Sequence, residues 1–489
     1  MSELTSNAAT VKHFIGGEKI DSHDGATFES LDPETDQAVA VVAKATSRDA
    51  DTAVLSASKA FNQFRNAAPS IRERLLYVAA DVLESNRDEI IGRLIREIGS
   101  PIGKANLEMQ IAGETLRATA GIARRVAGRT YSAQSPLLTG GQEALSFSKR
   151  VPLGVTLGIT PFNVPLIKGI KHTSMALATG NAVVWLPSPE TAWIADAVVD
   201  VLAEAFERVG LDASLLNVVH GFGGEVGDAL VSHPLVKSVG FTGSTKTGRH
   251  VQATCGRHGK RVTLELGGKN ALLVLNDADV TAAIQAAVKG AFIYQGQICM
   301  STSRIIVCES VAEAFTEKLV AAASNLSLGP LSEPSTVIGP IINADARGRI
   351  AEHLKDAVDQ GATLLCGGKW QGHRLNPTIV QGVTPFMRIA TEETFGPVVA
   401  LEFARDEEHA ADILQAGPSM LVASIFTRQI DRALKWIETI PASMVHVNEM
   451  TIRQQAEVPF GGEGDSGFGR EGLETGIDDF TTWKWVTIR

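Results

Sequence analysis

Cysteine is scarce in this chain. Cys255, Cys299, Cys308 and Cys366 are its four thiols in 489 residues. So few, with no C-x-x-C spacing, exclude a disulfide framework and a cysteine-based zinc motif. They suit a reducing cytoplasm, where a single reactive thiol can persist. Histidine supplies no metal motif either, because no two of the eleven lie within four residues of each other. Positive charge is in deficit. The 45 Lys and Arg against 55 Asp and Glu leave a net charge of −10, which argues against general affinity for nucleic acid or an anionic membrane. No apolar run approaches the roughly 18 residues of a membrane span. The opening MSELTSNAAT lacks the charged-then-apolar pattern of a signal peptide. The expectation is a cytoplasmic protein with no metal, no nucleic-acid partner and no membrane partner.

What is present is a hydrophobic content of 44% and a charged content of 20%, in a chain long enough for several domains. Residues 12–42 alternate and turn often, with hairpin signals at Gly16-Gly17 and Asp24-Gly25. From 47 to 126 the period becomes helical, with a start at Ser47 and a stop at Gly99 and Pro101. Residues 129–155 are polar and β-like around Gly140-Gly141. Strands then alternate with helices: strands at 155–160, 182–186, 216–220 and 236–241, helices at 194–209 and 226–233. A second series follows, with strands near 304–307, 362–365, 398–403, 421–426 and 444–447 and helices at 312–324, 346–360 and 430–440. Such alternation implies parallel crossovers and doubly wound sheets. The fold class is α/β: two doubly wound α/β domains plus a small β arm. The boundaries are 1–128 with 152–262, then 263–455, then an arm of 129–151 with 470–489. The final TTWKWVTIR reads as a strand able to pair with 129–155 of the same or another subunit.

Doubly wound sheets bind ligands beyond the carboxyl ends of their strands. That directs attention to Pro161-Phe162-Asn163, Pro187-Ser188-Pro189, 221–224 and Thr242-Gly243-Ser244. A literal G-x-G-x-x-G occurs twice near the end, from Gly462 and from Gly467. Neither is a dinucleotide fingerprint, since too little chain follows for a βαβ unit with its acidic ribose residue.

The stretch 263–304 organises the rest. It opens with the carboxylate of Glu265 before Gly267-Gly268 and closes on Cys299 among Gly296, Gln297, Ile298, Met300 and Ser301. Val280, Ile284, Ala287, Val288 and Phe292 between them keep helical spacing. A helix there lets a base and a nucleophile distant in sequence face one cleft. A thiolate adds readily to a carbonyl carbon, and a carboxylate activates water. A lone cysteine is more commonly a buried, inert one, so the pairing carries the weight.

LELGGK followed by GQICMSTSRIIV resembles the aldehyde dehydrogenase superfamily, and the resemblance spans nearly the whole chain. It implies that Cys299 is the nucleophile and Glu265 the general base. Asn163, in TPFNVP, would hold the oxyanion together with the nucleophile's backbone N–H. In FTGSTKTG, Gly243, Ser244 and Gly248 match the turn that receives the cofactor. In EETFGPV, Glu393 and Phe395 match the pair at the nicotinamide ribose and ring edge. Thr160, Pro161, Phe162, Ser188, Gly221, Leu266 and Gly267 complete the cofactor set. One segment departs from the pattern. Where the family commonly has Lys-Pro-Ser-Glu, this chain has Leu186-Pro187-Ser188-Pro189. The missing lysine disfavours a 2′-phosphate and the missing acid removes a ribose contact, so the expected cofactor is NAD, with NADP possible and Glu190 a substitute acid.

Within the superfamily the late segments resemble benzaldehyde, vanillin and salicylaldehyde dehydrogenases. That implies an aromatic or hydrophobic aldehyde, contacted by Ile298, Met300, Phe460 and Arg453, with Arg453 facing a phenolate or carboxylate. The implied reaction is NAD(P)-dependent oxidation to the carboxylic acid through a thioester. The roles implied are cofactor domain, catalytic domain and oligomerisation arm, in a homodimer or homotetramer. Three alternatives stay open: an aliphatic or semialdehyde dehydrogenase, an acylating variant using coenzyme A, and a catalytically idle member.

Overall fold

The computed structural model describes residues 8–131 and 145–488. The hairpin expected at Gly140-Gly141 lies outside them. Two large sheets form the body. The first has eight strands, in the order Gly467–Phe468, Arg261–Glu265, Val236–Thr242, Val155–Thr160, Ala182–Pro187, Leu216–Val218, His13–Ile15 and Glu18–Ile20. The five from Arg261–Glu265 to Leu216–Val218 are parallel, and the outer pairings are antiparallel. Ala182–Pro187 is buried along its whole length, as a strand covered on both faces must be. Among the parallel strands the chain starts at Val155–Thr160 and steps outward to Leu216–Val218. It then returns to the other flank of its first strand at Val236–Thr242. The winding therefore reverses between Val155–Thr160 and Val236–Thr242, and a crevice opens beyond their carboxyl ends.

The second sheet has seven strands, in the order Thr363–Cys366, Thr378–Gln381, Val398–Ala404, Arg304–Cys308, Ala271–Val274, Met420–Phe426 and Ala442–Val447. All pairings but the first are parallel. A smaller sheet joins Ala9–Val11, Ala38–Ala43 and Thr27–Leu31.

The helical layer begins at Ser47, as the sequence suggests. Thr46, not Ser47, is the N-cap of Ser47–Phe64, closing a capping box with Asp49. The helical period continues across 71–98, but the chain breaks at Asn86 into Pro69–Ser85 and Arg87–Ile98, and Gly99 ends the second in the left-handed conformation. The helix expected over 226–233 is shortened to Asp228–Ser232 by a π-turn at Gly223–Gly227. Two buried acids of this layer cap helices elsewhere. Glu97 accepts from the backbone N–H groups of Trp193 and Ile194 at 2.8 and 2.7 Å. Glu108 accepts from Leu166 and Ile167 at 2.9 and 3.4 Å, at the start of Pro165–Ala178. Each carboxylate satisfies donors that a helix start leaves orphaned.

The terminal strand Thr481–Ile488 pairs antiparallel with Leu145–Pro152 of its own chain, and Arg129–Tyr131 lies on the far side. No helix among the described residues is long and apolar enough to cross a membrane.

Candidate active site

The expected helix is present at Val280–Phe292, started by Asp279, whose carboxylate accepts from the backbone of Thr281 and Ala282. It delivers the chain into a tight turn. Tyr294 (φ 49°), Gln295 (φ 44°) and Gly296 (φ 69°) are consecutive left-handed residues. Two of the three carry side chains, so the turn costs on the order of 1–2 kcal/mol per such residue. Its neighbours hold it there. The Tyr294 hydroxyl donates to the Ile98 carbonyl at 3.0 Å, and the Lys104 ammonium lies 4.2 Å from the centre of its ring. The Gln295 amide donates to the Pro340 carbonyl and accepts from the Gly339 N–H, at 2.7 and 3.0 Å. Gln297 accepts from the Ile342 N–H at 3.1 Å. A side chain at Gly296 would strike the Gly396 carbonyl.

Cys299 follows, half-buried between buried Ile298 and Met300. Asn270 fixes its backbone. The Asn270 amide donates to the carbonyls of Cys299 (2.7 Å) and Ser301 (3.1 Å), while its oxygen accepts from the N–H groups of Leu421 and Val422, both at 3.1 Å. The nucleophile loop is thus pinned to the amino ends of two central strands of the second sheet. Burial pushes the Cys299 thiol up to about 12; Lys168 opposes the shift, and Glu265, Glu393 and Glu471 add to it.

Glu265 ends the strand Arg261–Glu265 and is 2% exposed. Neither carboxylate oxygen has a hydrogen-bond partner among the described residues. A buried carboxylate without donors is costly, and burial, reinforced by Glu471, pushes its pKa well above the usual carboxylate range against the pull of Lys168, Lys171 and Arg470. Cys299 and Glu265 belong to one electrostatic cluster, each acting on the other's titration or on that of Lys168.

Composition and spacing did not reveal Lys168, Lys171 and Glu471. The two lysines lie one turn apart on Pro165–Ala178, the helix that follows Asn163, and both are at least nine-tenths buried. Both ammonium groups approach the same Glu471 oxygen, at 2.8 and 2.9 Å. The Lys171 contact is poorly aligned, and its nitrogen makes no hydrogen bond. Both also lie over the Phe460 ring, 5.3 and 5.0 Å from its centre. The available signal was two lysines at i and i+3 in the otherwise apolar run PLIKGIK. Asn163 itself is buried, directly beyond the strand Val155–Thr160.

The expected cofactor residues lie on the carboxyl edge of the first sheet and the facing edge of the second. Thr160, Pro161 and Phe162 follow the strand on one side of the winding reversal, and Gly243 and Ser244 the strand on the other. The Thr160 hydroxyl is engaged by the Trp185 indole at 2.8 Å. Ser244 caps Thr245–Arg257, accepting from the Thr247 N–H, while Gly248 lets that helix lie against Leu266. Phe162 and Phe395 meet edge to face at 5.8 Å. The Glu393 carboxylate fills the space a side chain at Gly267 would take; burial pushes it up to about 7, opposed by the Gly268 N–H and by Lys269. Gly221 is buried beyond Leu216–Val218, and Ser188 donates to Glu190. Glu190 also accepts from Asn343 at 3.0 Å, so its carboxylate is already engaged. Leu186 is buried in the core. A switch-point crevice, a capped helix start and a buried acid beside a glycine fit a nicotinamide dinucleotide. Of the remaining expected contacts, Phe460 is buried, whereas Arg453 is half exposed and ion-paired with Glu449 at 3.2 Å.

Residues 20–486 match the model of the aldehyde dehydrogenase family. The vanillin dehydrogenase of Corynebacterium glutamicum is 39% identical over 491 aligned residues, covering 100% of both chains. The crystal structure of a salicylaldehyde dehydrogenase from Pseudomonas putida G7, complexed with salicylaldehyde, superposes with a TM-score of 0.93 at 35% identity, covering 98% of each chain. The betaine aldehyde dehydrogenase of Staphylococcus aureus, in complex with NAD+, superposes with a TM-score of 0.93 at 28% identity, over 99% of this chain and 96% of that one.

Proposed function

This chain belongs to the aldehyde dehydrogenase family, and on that premise we propose that it oxidises an aromatic aldehyde, with Cys299 as nucleophile, Glu265 as general base and Asn163 as oxyanion donor. The enzyme class and the use of NAD or NADP follow from the family and from relatives bound to these cofactors. The residue roles, the aromatic substrate and the domain division at 128, 152, 262 and 455 are our assignments. The observation that carries the chemistry is the pairing of a half-buried thiol with a buried carboxylate whose oxygens lack protein donors.

The Cys299 thiol releases its proton to water, and the thiolate sulfur adds to the aldehyde carbon, forming a C–S bond and placing negative charge on oxygen. Asn163 and the Cys299 N–H receive that charge, and a donor of this kind contributes roughly 10²–10³ in rate. NAD, when bound, would supply the hydride acceptor, and loss of hydride from the adduct carbon leaves a thioester on Cys299. Glu265 then takes a proton from water, the hydroxyl adds, the C–S bond breaks and the carboxylic acid leaves. Glu393, Phe395 and Phe162 would hold the nicotinamide end, and Ser244 with Gly243 the pyrophosphate. Buried Leu186 stands where the family commonly has a lysine, which supports NAD over NADP. Ile298, Met300 and Phe460 supply an apolar wall for a ring.

A panel of aldehydes followed by absorbance of reduced nicotinamide, with each cofactor, tests this. Benzaldehyde-type substrates should lead and NAD should exceed NADP. Undiminished oxidation by Cys299→Ala would overturn the residue assignment.

A further inference from the structure

The left-handed turn before Cys299 is propped from one short segment, 338–342. The Gly339 N–H donates to the Gln295 side chain at 3.0 Å, the Pro340 carbonyl accepts from it at 2.7 Å, and the Ile342 N–H donates to Gln297 at 3.1 Å. This strap runs as irregular chain, so its contacts set its place. At one end the N–H groups of Val337 and Ile338 both meet the Ser327 carbonyl at 3.1 Å. Arg374 ties that junction together: its Nη1 donates to the carbonyls of Leu328, Gly329 and Ile338 at 3.0, 2.6 and 3.4 Å. At the other end the Ile341 N–H donates to the carbonyl of His373, the neighbour of Arg374, at 2.9 Å. The pair is anchored in turn on residues far away in the chain. Arg374 Nε and Nη2 donate to the Glu34 carboxylate at 2.9 and 2.7 Å, and the His373 ring donates to the Pro33 carbonyl at 2.8 Å. The forked contact fixes the guanidinium in orientation as well as in place. Glu34 sits in a closed turn, where its N–H donates to the Asp32 side chain and the Asp32 N–H donates to the Gln37 carbonyl, both at 2.8 Å. The Arg374 side chain is 11% exposed, so water is scarcely present to replace its donors.

We propose that Arg374 is a positioning residue for Cys299: anchored on Glu34, it holds the strap 338–342 against the Gln295 and Gln297 side chains and so keeps the sulfur at its reacting distance. This rests on the assignment of Cys299 as nucleophile above. It adds a mechanical link from the turn at 32–37, beside the first sheet, to a thiol carried by the second. Arg374 acts through backbone carbonyls and leaves the chemistry to the residues already named.

The test is a single turnover, with enzyme in excess over the best aldehyde of the panel and NAD saturating, followed by absorbance of reduced nicotinamide. Arg374→Lys keeps a cation for Glu34 but loses the fork that reaches three carbonyls. Its rate constant should fall by about tenfold to a hundredfold, as happens when a nucleophile is misplaced by about 1 Å. The amplitude should stay complete, and the dissociation constant for NAD, from titration, should stay the parent's. A variant that was only less stable would react through its folded fraction at the parent's rate constant. Glu34→Gln, which keeps the shape and removes the charge, should slow the same step by less, and it decides the matter if Arg374→Lys does not fold. Parental rate constants in the folded variants overturn the proposal. NAD binding that weakens in step with the rate also overturns it, because the contact would then serve the cofactor. If Cys299→Ala retains the single-turnover phase, the nucleophile assignment falls first and the proposal with it.

Discussion

Cys299 and Glu265 share a difficulty, since burial favours the uncharged form of each. A base must be ionised to act, so raising its pKa moves the working limb of the rate to higher pH. Thioester hydrolysis should therefore be slow near pH 5, although an ordinary glutamate, with a pKa of about 4.3, would already be ionised there. It should rise as pH climbs above that range. In Glu265→Gln that limb should flatten and single-turnover traces should show a burst of reduced nicotinamide followed by stalling, with a loss of about 10²–10⁴ in steady state. A Gln variant that retains the parent's pH profile would remove Glu265 from the role. Much at this scale could be read from the sequence, because LELGGK and GQIC are contiguous words. Lys168, Lys171 and Glu471 are not, since a cluster built from residues so far apart in the chain has no local pattern. Asn270 escaped notice for a related reason. An asparagine beside a Gly-Gly turn looks like an ordinary turn residue, and only the fold shows it bonded to four backbone groups.

At the level of elements, the left-handed turn before Cys299 is the most constrained segment. Its geometry could not be inferred, because Tyr294 and Gln295 are unusual residues for that conformation. Gly296→Ala must fit a methyl group against the Gly396 carbonyl in a backbone that disfavours it. We expect it to lower thermal stability and to abolish activity even where folded protein is recovered. Asn270→Ala is the milder probe. It leaves buried carbonyls and N–H groups of Cys299, Ser301, Leu421 and Val422 short of a partner, at about 1–3 kcal/mol for each buried group left unsatisfied. The expected outcome is an earlier unfolding midpoint by calorimetry together with a reduced kcat. Parental values for both would show that the clamp is dispensable. The strands and helices were easier to anticipate than their ends. Asn86 breaks a run whose apolar periodicity continues on both sides, and the cap at Thr46 was hidden by the equally plausible Ser47.

For the whole molecule, the sheet of Thr481–Ile488, Leu145–Pro152 and Arg129–Tyr131 leaves a good deal of apolar surface in solvent. Trp485 is 74% exposed and Leu145, Ile488, Tyr131 and Trp483 are about half exposed. Among the described residues its outer strands also have unpaired edges, and such surfaces ordinarily find a partner. The assembly into a dimer or tetramer that we assign to this arm predicts that Trp485→Lys sediments as a smaller species than the parent. An unchanged sedimentation coefficient would place the interface elsewhere. The alternation of strands and helices made both doubly wound sheets legible from the sequence. What it could not give is the way the layers lean on one another. The helical layer at 97–108 looked like scaffold, yet Glu108 caps the helix bearing Lys168, and Lys104 with the Ile98 carbonyl holds Tyr294.

That last arrangement bears on how the protein comes into being. The props under Tyr294 and Gln295 come from positions 98, 104, 339 and 340, and Gly396 closes over Gly296. A ribosome must therefore release most of the polypeptide before the sulfur can reach its working posture. Incomplete chains that extend past Cys299 carry the same thiol with no machinery around it.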